Sequence, residues 1–231
     1  MTREEVLARW RGGLIVSCQA ATGSPLDRPD FLAALARTAE LNGAVGVRMD
    51  QAQNIAAARE AVSVPIIGLR KHVRDGCDVY ITPTLADARL VKAAGADVIA
   101  IDATARPRPE GVAVERFIRE IQRDLKAFVM ADVSTFDEGL AAVEAGADFI
   151  ATTLAGYTTA SQPIDGPDLP LLERLAAAVD TPVLCEGRIR NADDVRRAFD
   201  RGAFAVVVGS AITGIDVLVR RFVAATSAAG E

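Results

Sequence analysis

The chain has little with which to build metal sites. Its 231 residues include one histidine, His72, and three cysteines, Cys18, Cys77 and Cys185. A single imidazole excludes a zinc centre made from several histidines, and it leaves a serine–histidine triad with one candidate base. The cysteines have no metal-ligand spacing. An odd number of them, behind a charged N-terminal segment without signal-peptide character, points to free thiols in the cytoplasm. Long apolar runs are also missing. The stretch 204–208 is typical, far short of the roughly 20 residues that span a bilayer. Basic charge is in deficit, with a net charge of −5, so a nucleic-acid partner is not expected. Aromatic residues number only 11.

Small aliphatic residues fill the gap. The chain has 43 alanines and 18 glycines, and hydrophobic residues make up 50% of it. That composition is globular, and the length suits a single domain over 1–231. Its core must be assembled from small and branched side chains.

A repeat organises the sequence. Glycine–alanine pairs occur at 43–44, 95–96, 146–147 and 202–203. Each follows a helical pattern and precedes a short β-branched run, as a helix stop and a buried strand would. Between them lie further strand-like runs, two of which open on proline, at 62–68 and 179–185. The strands expected are 13–18, 44–49, 64–69, 97–101, 127–131, 148–152, 182–186 and 204–208. The helices expected are 30–42, 52–62, 85–94, 113–125, 135–145, 168–179, 191–201 and 214–228. Thr84, Ser134 with Thr135, and Asn191 stand where helix N-caps belong. Strict alternation of strand and helix calls for a parallel sheet, and eight units make a closed (β/α)8 TIM barrel. An open doubly wound sheet is the alternative, but no Gly-x-Gly-x-x-Gly follows the first strand.

In such a barrel the active site lies at the C-terminal ends of the strands. The polar residues at those ends are Ser17, Gln19, Arg48, Arg70, Lys71, His72, Asp102, Asp132, Thr152, Thr153, Tyr157, Glu186, Arg188 and Ser210. The strands themselves are almost wholly apolar, and this contrast favours an enzyme over a structural protein. Gly187, Gly209 and Ser210 follow strands 7 and 8, where backbone N–H groups commonly hold a phosphate. Lys71 could be a general base, a Schiff-base nucleophile, a phosphate clamp or a solvated loop lysine. As a base near neutral pH it needs a lowered pKa, to which Arg48 would contribute and which Glu186 would oppose. Asp132 could instead brace the next helix. A carboxylate at 186, after an apolar strand, is harder to explain by folding. Asp102 reads as a loop brace for Arg106 or Arg108, His72 as a loop residue, and Cys18 and Cys185 as packed thiols.

Several motifs in order carry a family resemblance over about residues 10 to 225. They include Gly-Leu-Arg-Lys (68–71), Tyr-Ile-Thr-Pro-Thr (80–84), Arg-Pro-Arg-Pro (106–109) and Ala-Asp-Val-Ser-Thr (131–135). Thr-Thr-Leu-Ala-Gly-Tyr-Thr (152–158), Glu-Gly-Arg (186–188) and Val-Gly-Ser-Ala-Ile-Thr (208–213) complete the set. Together they resemble the N-acetylmannosamine-6-phosphate 2-epimerases. The resemblance implies interconversion of N-acetylmannosamine 6-phosphate and N-acetylglucosamine 6-phosphate in sialic acid catabolism. It implies an isomerase that needs no metal or organic cofactor and works as a homodimer. It assigns Lys71 to proton transfer at C2, Glu186 to the O1 end, and Asp132 to sugar binding or to tuning Lys71. Arg48 would sit near the developing enolate. Gln19, Tyr157 and Arg188 would hold the sugar, and Gly187, Gly209 and Ser210 the phosphate. One residue departs from the pattern: where the family usually carries a phosphate-binding arginine after Ala-Ile-Thr, this chain has Gly214, and Arg188 or Arg220 would have to compensate. A Schiff-base lyase acting through Lys71 and a non-catalytic sugar-phosphate binder are the competing readings.

Overall fold

The computed structural model describes residues 1–227. The repeat glycines Gly43, Gly95, Gly146 and Gly202 all take positive φ, between 88° and 101°, and so end their helices in the left-handed region. The chain then turns into a strand. In two repeats the residue after Gly-Ala is an aspartate that satisfies the opening of an adjacent strand. Asp97 Oδ2 accepts from the Ile66 N–H (2.9 Å), and Asp148 Oδ2 accepts from the Val129 N–H (2.9 Å). The strands begin one or two residues later than the apolar runs suggest.

The elements are α1 (Arg3–Trp10), β1 (Leu14–Cys18), α2 (Pro29–Leu41), β2 (Gly46–Asp50), α3 (Ala52–Ala61) and β3 (Ile66–Leu69). They continue through α4 (Leu85–Ala93), β4 (Val98–Asp102), α5 (Val114–Leu125), β5 (Phe128–Asp132), α6 (Phe136–Glu144) and β6 (Phe149–Ala151). Then come α7 (Leu169–Ala178), β7 (Val183–Glu186), α8 (Ala192–Asp200), β8 (Ala205–Val208) and α9 (Ile215–Ser227). Of the helix expected over 214–228, residue 228 lies outside the described residues.

The eight strands pair in chain order, all parallel, and β8 returns to β1 to close the barrel. This is the (β/α)8 architecture expected. Alternation along each strand sends one set of side chains inward and the other toward the helices. Ile15, Ile67, Leu69, Val98, Ala100, Met130, Phe149, Leu184 and Val207 fill the interior, while Val16, Val47, Ile99, Ile101, Val129, Ile150 and Val206 pack beneath the helices. Thr84, Thr135 and Asn191 cap α4, α6 and α8 with their side chains; Ser134 precedes the cap instead of forming it.

Helix α1 is an element the apolar periodicity does not reveal. It buries only Val6 and Trp10. Trp10 is fully buried and lies against Phe149 at the start of β6, with ring centroids 5.0 Å apart, so α1 closes the N-terminal end of the barrel.

Candidate active site

At the opposite end the barrel opens into a cavity of about 800 Å³. Gln19, Arg48, Lys71, Tyr157, Glu186, Gly187, Arg188, Gly209 and Ser210 all line it. Of the residues to which the family resemblance gives a role, only Asp132 is missing from the lining; of the other polar strand-end residues, Arg70, His72, Asp102 and Thr152 also lie outside it. The Asp132 carboxylate is fully buried and lies behind Arg48.

Arg48 is the hub. It is itself buried, on β2, and faces two carboxylates from strands across the barrel. Nη2 donates to Asp132 Oδ2 (2.6 Å), and Nη1 donates to Asp132 Oδ1 (3.1 Å) and to Glu186 Oε2 (2.7 Å). Thr153 adds a hydroxyl donor to Asp132 Oδ1 (2.6 Å). Burial works against charge on Arg48, but Asp132 and Glu186 outweigh it and raise its pKa above the ordinary value. Glu186 fares differently. Burial pushes its carboxyl up to about 7, with Asp132 adding to the effect and Arg48 opposing it.

Lys71 follows β3 and reaches into the open cavity, where its Nζ donates to Gln19 Oε1 (2.5 Å). Gln19 Nε2 in turn donates to Ser17 Oγ (2.9 Å). Enclosure by the cavity walls lowers the Lys71 pKa below the ordinary lysine value. Arg48 adds to this, and Asp50, Glu186 and Asp132 pull the other way. An amine pushed down and a carboxyl pushed up, lining one cavity, are the two members an acid–base pair needs.

The rim is less simple. Arg188 stacks over the Tyr157 ring, 3.7 Å from its centroid, and donates to the carbonyls of Ala155 and Gly156. It holds the loop after β6, so two of its donors are already committed. Gly187 has φ 105°, and the N–H groups of Gly187 and Ser210 donate to no protein acceptor among the described residues. Loop 8 is tightly wound: the Gly214 N–H donates to Ser210 O (3.2 Å). A Cβ at 214 would lie 2.8 Å from Ser210 Cα and O, so no side chain fits there without moving the loop. Arg220 and Arg221 of α9 line the same cavity.

Other residues fall into place around this frame. Asp102 pairs with Arg106 (2.6 Å), as the loop-brace reading requires. His72 is not idle: its Nδ1 lies 3.1 Å from Asp87 Oδ1, which also takes an ion pair from Arg70. Cys18 and Cys185 are buried, and burial raises both thiols to about 12. The sequence assigns no role to Asp50 and Gln51, nor to Tyr80 and Thr82 beyond their place in the 80–84 motif. Tyr80 lines the cavity, and its phenol is pushed up by burial and by Asp132 and Asp102. Asp50 lies inside β2 instead of beyond it, and the Lys71 N–H donates to its Oδ1 (2.8 Å).

Residues 32–228 match the family model described as "Putative N-acetylmannosamine-6-phosphate epimerase". A protein of Synechococcus elongatus named "Putative N-acetylmannosamine-6-phosphate 2-epimerase" is 48% identical over 230 residues, 99% of each chain. A Cutibacterium acnes protein of the same name is 47% identical over 212 residues, 91% of this chain and 92% of its own. Among solved structures, the N-acetylmannosamine-6-phosphate 2-epimerase from Clostridium perfringens superimposes with a TM-score of 0.90 at 37% identity, over 94% of both chains. A thiamine phosphate pyrophosphorylase from Pyrococcus furiosus, at 19% identity and a TM-score of 0.61, shares the fold alone.

Proposed function

The chain belongs to the N-acetylmannosamine-6-phosphate 2-epimerase family, and from that premise we propose how its barrel mouth inverts C2 of an amino-sugar phosphate. The reaction interconverts N-acetylmannosamine 6-phosphate and N-acetylglucosamine 6-phosphate, an isomerisation fitting sialic acid catabolism. In the ring-opened sugar the C1 carbonyl acidifies the C2 proton. The neutral amine of Lys71 takes that proton and becomes an ammonium, while the electron pair moves onto O1. Glu186, about half protonated near pH 7, donates a hydrogen bond to O1 in its protonated form, and the Arg48 charge stabilises the enolate. A solvent-derived proton is then delivered to the opposite face of C2, the electron pair on O1 re-forms the C1 carbonyl, and the Lys71 ammonium gives its proton up to solvent.

Asp132 acts from behind, holding Arg48 in place. Gln19 holds the sugar or N-acetyl group beside Lys71. Tyr157 and Arg188 form a stacked wall for the sugar chain. The unpartnered N–H groups of Gly187 and Ser210, with Gly209 between the strand and the turn, receive the phosphate. The observation that carries the reading is that Lys71 and Glu186 line one cavity with Arg48, which is ion-paired to Glu186, and that their pKa values are displaced toward each other.

The substrate is a small dianion that does not cross bilayers, which with three free cysteines supports a cytoplasmic enzyme. Among the described residues no helix is long and apolar enough to cross a membrane. The net negative charge supports the absence of a nucleic-acid partner.

The test is NMR of N-acetylmannosamine 6-phosphate with the protein in D2O. Interconversion with deuterium entering C2 is expected, and Lys71→Ala should slow the exchange by about 10²- to 10⁴-fold. A borohydride-trapped adduct on Lys71 without C2 exchange would overturn the reading in favour of a Schiff-base lyase. Thermal stabilisation by the sugar phosphate without turnover would overturn it in favour of a binding protein.

A further inference from the structure

The peptide of Lys71 is gripped from both sides. Its N–H donates to Asp50 Oδ1 (2.8 Å), and its carbonyl accepts from Gln51 Nε2 (3.0 Å). The preceding residue is held as closely. The Arg70 N–H donates to Thr82 Oγ1 (3.1 Å), and the Thr82 N–H donates to Arg70 O (2.8 Å).

Two of the gripping residues hold backbone conformations that do not suit them. Gln51 has φ 71° and ψ 139°, and Thr82 has φ 45°. Such angles are the province of glycine. Thr82 is an extreme case, because it is β-branched and precedes Pro83, and each property alone disfavours this region. Gln51 is also the N-cap of α3, yet its side chain makes no cap bond; it reaches instead to Lys71 O. Glycine at either position would relieve the backbone, but it would remove the atom that bonds the Lys71 segment.

We propose that Gln51 and Thr82 are positioning residues, a strained clamp that fixes the Lys71 main chain so that its amine points across the cavity at C2 of the sugar. The proposal rests on Lys71 being the proton-transfer group. Neither residue touches substrate. Their side chains tie the turns after β2 and before α4 to the end of β3, and the strain is tolerated because those bonds hold it.

Gln51→Gly separates this role from simple folding, since it relaxes the backbone while deleting the bond. The chain has only three lysines, Lys71, Lys92 and Lys126. Lysine labelled with 13C at Cε therefore gives three resolvable signals, with that of Lys71 identified by its loss in Lys71→Ala. For Gln51→Gly the melting temperature should hold or rise. The kcat for C2 exchange should fall about tenfold to a hundredfold with KM within about threefold, and the Lys71 titration midpoint should move up as the amine gains water. Thr82→Ala should lower kcat in the same way, and Thr82→Ser, which keeps Oγ, should restore it. An unchanged Lys71 midpoint and unchanged kcat overturn the clamp, whatever happens to stability. If the wild-type protein shows no C2 exchange, the epimerase reading fails, and the Lys71 midpoint by itself decides whether the clamp exists.

Discussion

Arg48 serves two carboxylates, and the division is unequal. Asp132 takes a forked pair of bonds and Glu186 a single one, so Asp132 is the anchor and Glu186 the group left free to gain or lose a proton. This has a measurable signature. Glu186 titrates in the folded protein at about 7, above its ordinary 4.5. A carboxyl raised on folding contributes stability that is fully present below the unfolded value and is lost as pH rises through the folded one. The melting temperature of the wild-type protein relative to Glu186→Gln should therefore fall between about pH 4.5 and pH 7 and then level off. A limb near pH 7 in kcat/KM should disappear in the same variant. A constant difference in melting temperature across that range would contradict the assignment. At this scale the sequence is a fair guide to side chains that point into the cavity. It gives nothing for Gln51 and Thr82, whose roles rest on backbone angles costing ~1–3 kcal/mol each that no residue type announces.

At the scale of the element, loop 8 and α9 raise the question of how the phosphate is held without an arginine at 214. Loop geometry explains the glycine: the turn that bonds Gly214 to Ser210 leaves no room for a Cβ. Helix geometry points to the residue that would take its place. Positions 214, 217, 218 and 221 share one helical face, and all four line the cavity. Arg188 is committed to the Ala155 and Gly156 carbonyls, and Arg190 pairs with Asp165. Arg220, the other candidate read from the sequence, and Arg221 both lack such a commitment among the described residues, but Arg221 is the one on the face that carries 214, and a helical side chain leans back toward the N-terminus, where loop 8 lies. Arg221→Ala should raise KM for the 6-phosphate about tenfold or more, the worth of a charge-assisted bond, and leave the dephosphorylated sugar unaffected. Arg188→Ala should instead disturb both sugars alike through the Tyr157 loop. A phosphate-selective effect of Arg188→Ala alone would reverse this assignment and restore the compensation first read from the sequence. Elements with a strong period were legible in advance; α1 was not, because it buries two residues only. Its one sequence signal is the capping box of Thr2 and Glu5.

For the whole molecule, the barrel was legible because its repeat is chemical as well as periodic. In each of its four repeats glycine ends the helix and alanine follows it, and in two of them an aspartate bonds the neighbouring strand. Helix α9 leaves an apolar surface uncovered. Ile215 and Val219 are half exposed and Phe222 is 71% exposed, an apolar surface of the kind that marks an interface. The homodimer implied by the family resemblance would cover it. Light scattering should give twice the chain mass for the wild-type protein, and Phe222→Asp should shift the population to monomer. A wild-type monomer at micromolar concentration would refute this.

The plug at the far end of the barrel makes the protein its own spectroscopic gauge. Trp10 is the only tryptophan, and it is fully buried against Phe149, on the side of the barrel away from the sugar site. Its emission reads the closure of the eight-stranded ring. A red shift marks water entering the ring from below, so loss of the barrel can be told from loss of substrate contacts without a label.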